Sequence, residues 1–150
     1  MKISLVSGAM EGPTKLNAFD NALTVAGIGD QNIIKVSSML NAKTQIVDLP
    51  TFKPGQMIHC VLSSLSSDNH GDKIFASVCV AIGDQLGCAV EKSGINLDID
   101  KSLKELDEMV SYMMKVRGVE IKHKHVKYVE HIVEDIGSVV ASVVYIEDDE

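Results

Sequence analysis

Residues 57–90 read MIHCVLSSLSSDNHGDKIFASVCVAIGDQLGCAV, and this stretch decides the fold. It contains three apolar runs, MIHCVLSSL, KIFASVCVAI and LGCAV, separated by polar turns at 67–72 and 83–85. We predict a strand for each run. In the middle run both alternating sets of residues are small or apolar, so we expect this strand to be covered on both faces. Such a strand is typical of a layered sandwich.

The residues before this stretch predict a strand, a helix and two further strands. Residues 3–7 form a β-branched run that we expect to end at Gly8 and Gly12. A helix should begin at 13–14 and stop at Gly27. Between these points, apolar residues recur at helical spacing: Leu16, Phe19, Leu23 and Ala26. The segments NIIKVSSML and QIVDL are β-branched again, and we predict a strand for each.

The C-terminal part predicts a second helix and two strands. Asp100 or Ser102, followed by Glu105, forms a capping signal, and Gly118 closes the segment. Apolar residues recur at helical spacing within it: Leu103, Leu106, Val110 and Met113. The last 30 residues fit either a helix or strands, because a helical pattern over 126–136 overlaps the strand-like run VASVVYI. We favour two strands joined near Gly137.

These elements predict one domain that spans residues 1–150. The chain has 150 residues, of which 45% are apolar, and a chain of this size can bury a substantial core. We expect the α/β (α+β) class. The predicted architecture is a layered αββα sandwich with two main helices.

Charge and apolar pattern exclude several classes of protein. The 21 acidic and 14 basic residues give a net charge of −7, which argues against nucleic acid as a partner. No run approaches the roughly 20 apolar residues that span a bilayer. The apolar stretch at the N-terminus is too short to form the core of a signal peptide. Three cysteines without C-x-x-C spacing predict buried reduced thiols: Cys60, Cys79 and Cys88. We therefore predict a cytoplasmic protein that binds neither nucleic acid nor membrane.

Common catalytic and metal motifs are absent from the sequence. There is no G-x-S-x-G elbow, no phosphate-binding loop and no His-Glu-x-x-His helix. Gly27 and Gly29 follow a predicted helix instead of a strand, so they indicate helix termination and not a dinucleotide site. Three histidines would share one face of an unbroken strand: His123, His125 and His131. Neighbouring lysines work against metal binding there, and we predict no metal site.

A Ser-Ser pair occurs three times, and its context separates the three copies. The pairs at 63–64 and 66–67 lie in a Ser-rich stretch that leads into a polar loop, where hydroxyls satisfy turn backbone. Ser37 and Ser38 instead lie within the apolar strand NIIKVSSML, after Asn32. On these local grounds alone, a structural explanation for the pair is preferred.

The segment LNAFDNALTVAGIGDQNIIKVSSML resembles the N-terminal block of the archaeal-type pyruvoyl-dependent arginine decarboxylases. The shared features are the loop-to-helix entry LNAFD, the AGIG helix terminus, the Asn before a Lys-containing strand and the Ser-Ser pair. Weaker similarity continues through VAIGD, GCAVEKSG, KVRG and HIVEDIGSVVAS. The resemblance covers nearly the whole chain.

The resemblance implies that the chain is a proenzyme that cleaves itself between Ser37 and Ser38. The products would be a β chain, 1–37, and an α chain, 38–150. The Ser38 hydroxyl would attack the Ser37 carbonyl to form an ester. Elimination then leaves dehydroalanine, which hydrolyses with loss of ammonia to a pyruvoyl group at residue 38. Asn32, carried over from the family's matching position, would donate a hydrogen bond to the oxyanion.

The resemblance also implies decarboxylation of arginine to agmatine and carbon dioxide, a step in polyamine biosynthesis. The pyruvoyl group formed from Ser38 would replace pyridoxal phosphate, and no metal would be needed. Glu91 is the carried-over proton donor, which requires a raised pKa. Asp20 is the candidate partner of the substrate guanidinium. The family's active site lies between subunits, which implies a homotrimer or a dimer of trimers.

The sequence departs from the family after the Ser-Ser pair. The family tends to continue with prolines, whereas Met39 is followed here by Leu40, Asn41 and Ala42. The backbone after the cut is therefore expected to be held differently. Two alternatives stay open: the same chemistry on another amino acid, and an unprocessed, non-catalytic homologue that serves as a binding or structural subunit of an oligomer.

Overall fold

The computed structural model describes residues 1–147. Within them, two helices and nine strands follow one another along the chain. Their bounds are β1 (Lys2–Glu11), α1 (Lys15–Ala26), β2 (Asn32–Lys35), β3 (Met39–Leu40), β4 (Gln45–Ile46), β5 (Met57–Ser67), β6 (Lys73–Ile82), β7 (Gly87–Ile95), α2 (Ile99–Val116), β8 (His123–Ile132) and β9 (Gly137–Ile146).

The strands form two sheets that pack face to face. Sheet A has the strand order β2-β5-β9-β1-β4, and sheet B has the order β3-β7-β6-β8. Helix α1 packs on the outer face of sheet A, and α2 packs on the outer face of sheet B. The predicted αββα sandwich with two main helices is confirmed, since each sheet buries one face against the other sheet and one against a helix.

Strand β6 is apolar on both faces because each face packs against another part of the protein. Residues such as Ile74 and Val78 face sheet A in the main core between the sheets. The other set, which includes Cys79 and Ala81, packs against Leu106 and its neighbours on α2. The strand is therefore covered on both faces, as the sequence predicts.

Strand β1 is longer than predicted, because Gly8 does not end it. The strand continues to Glu11 and pairs with β9 over its whole length. A Cβ atom at Gly8 would lie 2.3 Å from the Ala22 carbonyl oxygen and 2.8 Å from the Ala26 nitrogen. Glycine at this position allows α1 to approach the strand closely, so it is a packing residue and not a strand terminator.

Replacing Gly8 with alanine should destabilise the fold by about 1–3 kcal/mol, the usual cost of overpacking. The new Cβ meets backbone atoms of α1, so relief requires moving the helix instead of a side chain. The measurement is the midpoint of denaturant unfolding. Ser7→Ala is the matched control, because its half-buried side chain stands on the opposite face of β1. Equal midpoints for the two variants would refute this packing role.

The ends of helix α1 agree with the prediction. The Thr14 hydroxyl accepts a hydrogen bond from the Asn17 backbone at 3.1 Å and caps the helix N-terminus. Gly27 ends the helix with φ at 91°, a left-handed conformation that glycine adopts without a steric penalty. The glycines of AGIGD thus belong to a helix terminus.

Helix α2 begins earlier than predicted. Its N-cap is Asp98, whose side chain accepts a hydrogen bond from the Lys101 backbone at 2.9 Å, so neither Asp100 nor Ser102 is the cap. Ser102 is buried on the helix instead. Asp98 takes this position because its extended backbone and short acceptor side chain satisfy a free N–H of the first turn.

The Ser-rich segment at 63–67 belongs to strand β5, which runs two residues beyond the predicted strand, so the hydroxyl of Ser63 does not serve turn backbone as the sequence interpretation had it. Ser63 points between the sheets, where its hydroxyl donates to the Lys92 carbonyl at 2.9 Å and accepts from the Ser77 backbone at 3.2 Å. These bonds join sheet A to sheet B. The buried serine is tolerated because its hydrogen bonds are satisfied.

The C-terminal residues form β8 and β9, so the choice of two strands joined near Gly137 is confirmed. All three cysteines are free and buried, and burial raises the pKa of the Cys79 thiol to about 11. In the described part of the chain, neither helix is long and apolar enough to cross a membrane.

Candidate active site

The predicted strand NIIKVSSML is divided between the two sheets. Residues 32–35 form β2 at the edge of sheet A, parallel to β5. Met39 and Leu40 form β3 at the edge of sheet B, antiparallel to β7. One continuous strand was therefore the wrong prediction. Ser37 and Ser38 lie in the crossover that links one sheet to the other.

Two backbone hydrogen bonds bracket this crossover. The Val36 N–H donates to the Cys60 carbonyl of sheet A at 2.9 Å. The Ser38 carbonyl accepts from the Ala89 N–H of sheet B at 2.8 Å. Between residues 1 and 147, no hydrogen-bond partner is found for the Ser37 backbone or for the hydroxyls of Ser37 and Ser38. The peptide between the two serines is thus held on both sides, while its carbonyl and the adjacent nucleophile remain free.

Glu91 lies close to this crossover on strand β7. It stands directly opposite Val78, which faces sheet A, so Glu91 faces the same way. Ala89, the partner of Ser38, is on the same face about 7 Å along the strand. Because β3 pairs only with Gly87 and Cys88, the edge of β7 is open at Glu91. Glu91 is exposed at this edge, and it is two residues along β7 from Ala89, whose N–H binds the Ser38 carbonyl.

The surroundings of Glu91 favour its protonated form. Although the residue as a whole is exposed, nearby protein atoms partly desolvate the carboxyl and raise its pKa above the ordinary value, and the positive charge of Lys35 opposes the rise. Burial is the larger of the two effects. A carboxylic acid with a raised pKa can act as a proton donor at a higher pH than an ordinary glutamate.

Lys35 is a residue of this site that the sequence interpretation did not single out. It is the last residue of β2, and its charge acts on Glu91 and on Cys60. Its position two residues before Ser37 is the feature of the sequence that could have indicated its place in the site. Its interaction with Glu91 depends on the packing of β2 near β7, which local sequence patterns do not show.

Asn32 is not brought to the serines within one chain. It begins β2, and its side-chain amide donates to the Gly55 carbonyl at 2.8 Å. The extended strand separates Asn32 from Lys35 by about 10 Å, and the serines lie further along the chain.

Asp20 also lies away from the serines. It is exposed on α1, which covers the face of sheet A that points away from sheet B. Ser37 and Ser38 leave sheet A on the other side, towards sheet B. Within one chain, the register of β3 and β7 relates Glu91 to Ser38, whereas Asp20 and Asn32 lie elsewhere on the surface.

The histidines of β8 do not form a metal site in the structure. They do share one face of the strand, in agreement with the expected parity. His131 contacts the Glu11 carboxylate at 2.6 Å, and Glu11 also accepts backbone hydrogen bonds from Glu134 and Asp135. His131 therefore belongs to a polar cluster that fixes the turn before β9. Within residues 1–147, no three His, Cys, Asp or Glu residues are grouped so that they could hold a metal ion.

The sequence of this chain is similar to those of known proteins. The family model for pyruvoyl-dependent arginine decarboxylase matches residues 2–150. A pyruvoyl-dependent arginine decarboxylase from Methanothermobacter thermautotrophicus is 52% identical over 147 residues, which cover 98% of this chain and 97% of that protein. Another from Methanocaldococcus jannaschii is 36% identical over 143 residues, 93% of this chain and 86% of that protein.

A more distant likeness is found among solved structures. A pyruvoyl-dependent histidine decarboxylase, determined at pH 8, superposes with a TM-score of 0.49 and 13% identity. The match covers 65% of this chain and 54% of that one. This likeness is too remote to support an argument about the site.

Proposed function

Because the chain belongs to the pyruvoyl-dependent arginine decarboxylase family, we propose that it cleaves itself between Ser37 and Ser38 and then decarboxylates arginine to agmatine. The crossover between the sheets carries the proposal. It holds a peptide with a free carbonyl next to a free serine hydroxyl, and Glu91 is two residues along β7 from Ala89, which binds the Ser38 carbonyl.

Cleavage starts at the Ser38 hydroxyl. Its oxygen attacks the carbonyl carbon of Ser37, and the peptide C–N bond gives way to an ester. β-Elimination of that ester releases the 1–37 chain with a free carboxylate and leaves dehydroalanine at residue 38. Addition of water and loss of ammonia then convert residue 38 into the pyruvoyl group. No oxidant is required.

The residues at the crossover fit this group after the cut. The carbonyl of residue 38 is bonded to the Ala89 N–H, and this bond belongs to the 38–150 chain. The new N-terminal residue therefore stays attached to β7, on the same face as Glu91. A pyruvoyl group supplies an electron sink for the loss of carbon dioxide, so neither pyridoxal phosphate nor a metal ion is needed.

Glu91 has the role of proton donor to the carbon that loses carbon dioxide. Its position near residue 38 and its raised pKa both favour this role. The Lys35 ammonium limits how far the pKa rises, and so it keeps the acid able to release its proton.

Asp20 and Asn32 take part from a neighbouring subunit of a homotrimer or of a dimer of trimers. Both residues are exposed, and both lie away from the serines of their own chain. A site between subunits would allow the Asp20 carboxylate to bind the substrate guanidinium. It would likewise allow the Asn32 amide to stabilise the oxyanion of the cleavage step. We place the reaction in the cytoplasm, where free thiols remain reduced.

The proposed substrate is tested by release of carbon dioxide from a panel of amino acids. We expect arginine to be the preferred substrate. Replacing Asp20 with asparagine should lower kcat/KM for arginine about 10- to 100-fold, chiefly through KM, because a charge-assisted hydrogen bond is lost. Asp84→Asn, at an exposed turn between β6 and β7, is the matched control. Preference for another amino acid, or indifference to Asp20→Asn, would reject this assignment.

A further inference from the structure

Tyr145 contacts the chain just after the Ser37–Ser38 bond. It lies near the end of β9, and its hydroxyl donates a hydrogen bond to the Met39 carbonyl at 2.8 Å. The bond joins a strand in the interior of sheet A to the first residue of β3 in sheet B. Tyr145 thus links the two sheets at the residue that follows Ser38.

This hydrogen bond falls on one side of the cut. The Val36 bond to Cys60 would then join the 1–37 chain to the 38–150 chain. The bonds to the carbonyls of residue 38 and of Met39 would both stay with the 38–150 chain. After cleavage, the Tyr145 hydroxyl and the Ala89 N–H therefore hold the first two residues of the new N-terminus.

Little else fixes these two residues. Strand β3 consists of Met39 and Leu40 only, and Met39 is exposed. Leu40 is buried in the main core and anchors the segment from its far end. The Tyr145 bond supplies a fixed point between that anchor and the reactive residue. Here the chain lacks prolines that would stiffen the backbone by themselves.

The position of the Tyr145 ring is set by packing and not by the bond itself. The ring packs against the main core, opposite His59 of β5 and Ile3 of β1. Burial raises the pKa of the phenol, so the hydroxyl keeps its proton and remains a donor. The hydroxyl is therefore presented to Met39 by a rigid support.

We propose that Tyr145 is a positioning residue for both steps of the reaction. Its hydroxyl holds the Met39 carbonyl, which keeps the Ser38 side chain in line with the Ser37 carbonyl before the cut. The same bond keeps residue 38 in reach of Glu91 after the cut. The inference rests on the proposed self-cleavage and adds to it the residue that orders the backbone after the scissile bond.

Tyr145→Phe tests the proposal because it keeps the ring and removes only the hydroxyl. We expect self-cleavage to be about three- to tenfold slower, as for the loss of one neutral hydrogen bond from the transition state. In the cleaved fraction, kcat should fall by a similar factor while KM for arginine stays unchanged, since the hydroxyl does not touch substrate. Tyr112→Phe is the matched control, because Tyr112 is 69% exposed on α2.

A second variant tests hydrogen-bond donation by the Tyr145 hydroxyl separately from the packing of its ring. Replacing Tyr145 with 3,5-difluorotyrosine nearly keeps the size of the ring but lowers the pKa of the phenol, so that it ionises at a lower pH than tyrosine does at the same place. The cleavage rate, taken relative to the unmodified chain, should then fall as pH rises, because a phenolate cannot donate to a carbonyl. Other titratable groups that line the same cavity are His59, Glu147 and the Met1 ammonium, and the thiol of Cys60 also acts on the phenol. The modified and the unmodified protein share these groups, so the effects of these groups on the cleavage rate cancel in the ratio of the two rates.

The outcomes distinguish this inference from the proposed function. An unmodified chain that never cleaves would overturn the proposed function itself. A cleaving chain in which Tyr145→Phe processes and turns over at the unmodified rate would overturn only the positioning role. Loss of thermal stability in Tyr145→Phe without a change in either rate would likewise reduce Tyr145 to a packing residue.

Discussion

Replacing Ser38 with alanine should leave the chain in one piece and abolish decarboxylation. Alanine has no oxygen with which to attack the Ser37 carbonyl, so the ester cannot form and no carbonyl group can arise at residue 38. Intact-mass measurement under denaturing conditions gives the result directly. The unaltered chain should yield two fragments, 1–37 and 38–150, and the larger should carry a pyruvoyl group. Ser38→Ala should yield one full-length mass.

A second serine pair provides the control for this experiment. Ser64 is also the second member of a Ser-Ser pair, but it is half-buried within the continuous strand β5. Ser64→Ala should therefore cleave normally. A single full-length mass for the unaltered chain after prolonged incubation would contradict self-cleavage. It would favour the alternative of an unprocessed subunit with a binding or structural role.

Replacing Glu91 with glutamine should separate the two reactions. Cleavage should proceed, because it depends on the Ser38 hydroxyl and the Ser37 carbonyl. Decarboxylation should slow by about 10²–10⁴-fold in kcat, which is the usual contribution of a positioned general acid. The measurements are fragment masses and carbon dioxide release from arginine. Glu108→Gln, an exposed change on α2, should alter neither.

The dependence on pH should report the same carboxyl. A proton donor works only while it is protonated, so kcat of the unaltered enzyme should decline as pH rises through the pKa of Glu91. Because burial raises this pKa above the ordinary value of 4.5, the decline should occur at a higher pH than for an ordinary glutamate. Glu91→Gln should lack this decline. Full activity in the glutamine variant would assign the proton transfer to another group.

The layered fold follows from local patterns of the sequence. Double coverage of β6 is encoded in its two apolar sets, and the ends of α1 are encoded in Thr14 and Gly27. These features depend on residues close together in the chain, whose periodicity and capping chemistry act within one element. That is why they could be predicted without knowledge of their tertiary neighbours.

Gly8 shows where local patterns mislead. A glycine after a β-branched run predicts the end of a strand, but the close approach of α1 needs a position without a Cβ atom. That requirement comes from a helix packed across the strand and cannot be seen in the strand itself. The same limit applies to Ser63, whose hydroxyl is satisfied by groups of sheet B.

The sequence by itself determined the chemistry available at Ser37 and Ser38. In a segment that resembles the family's, it places the Ser38 hydroxyl next to the Ser37 peptide carbonyl. Only the tertiary structure decided how that peptide is held. The apolar pattern of NIIKVSSML predicts strand on both sides of the pair, but it does not reveal which sheet each side joins. Two backbone hydrogen bonds with residues far away in sequence, one to the Cys60 carbonyl and one from the Ala89 N–H, divide the strand and leave the Ser-Ser peptide as the bridge between two sheets.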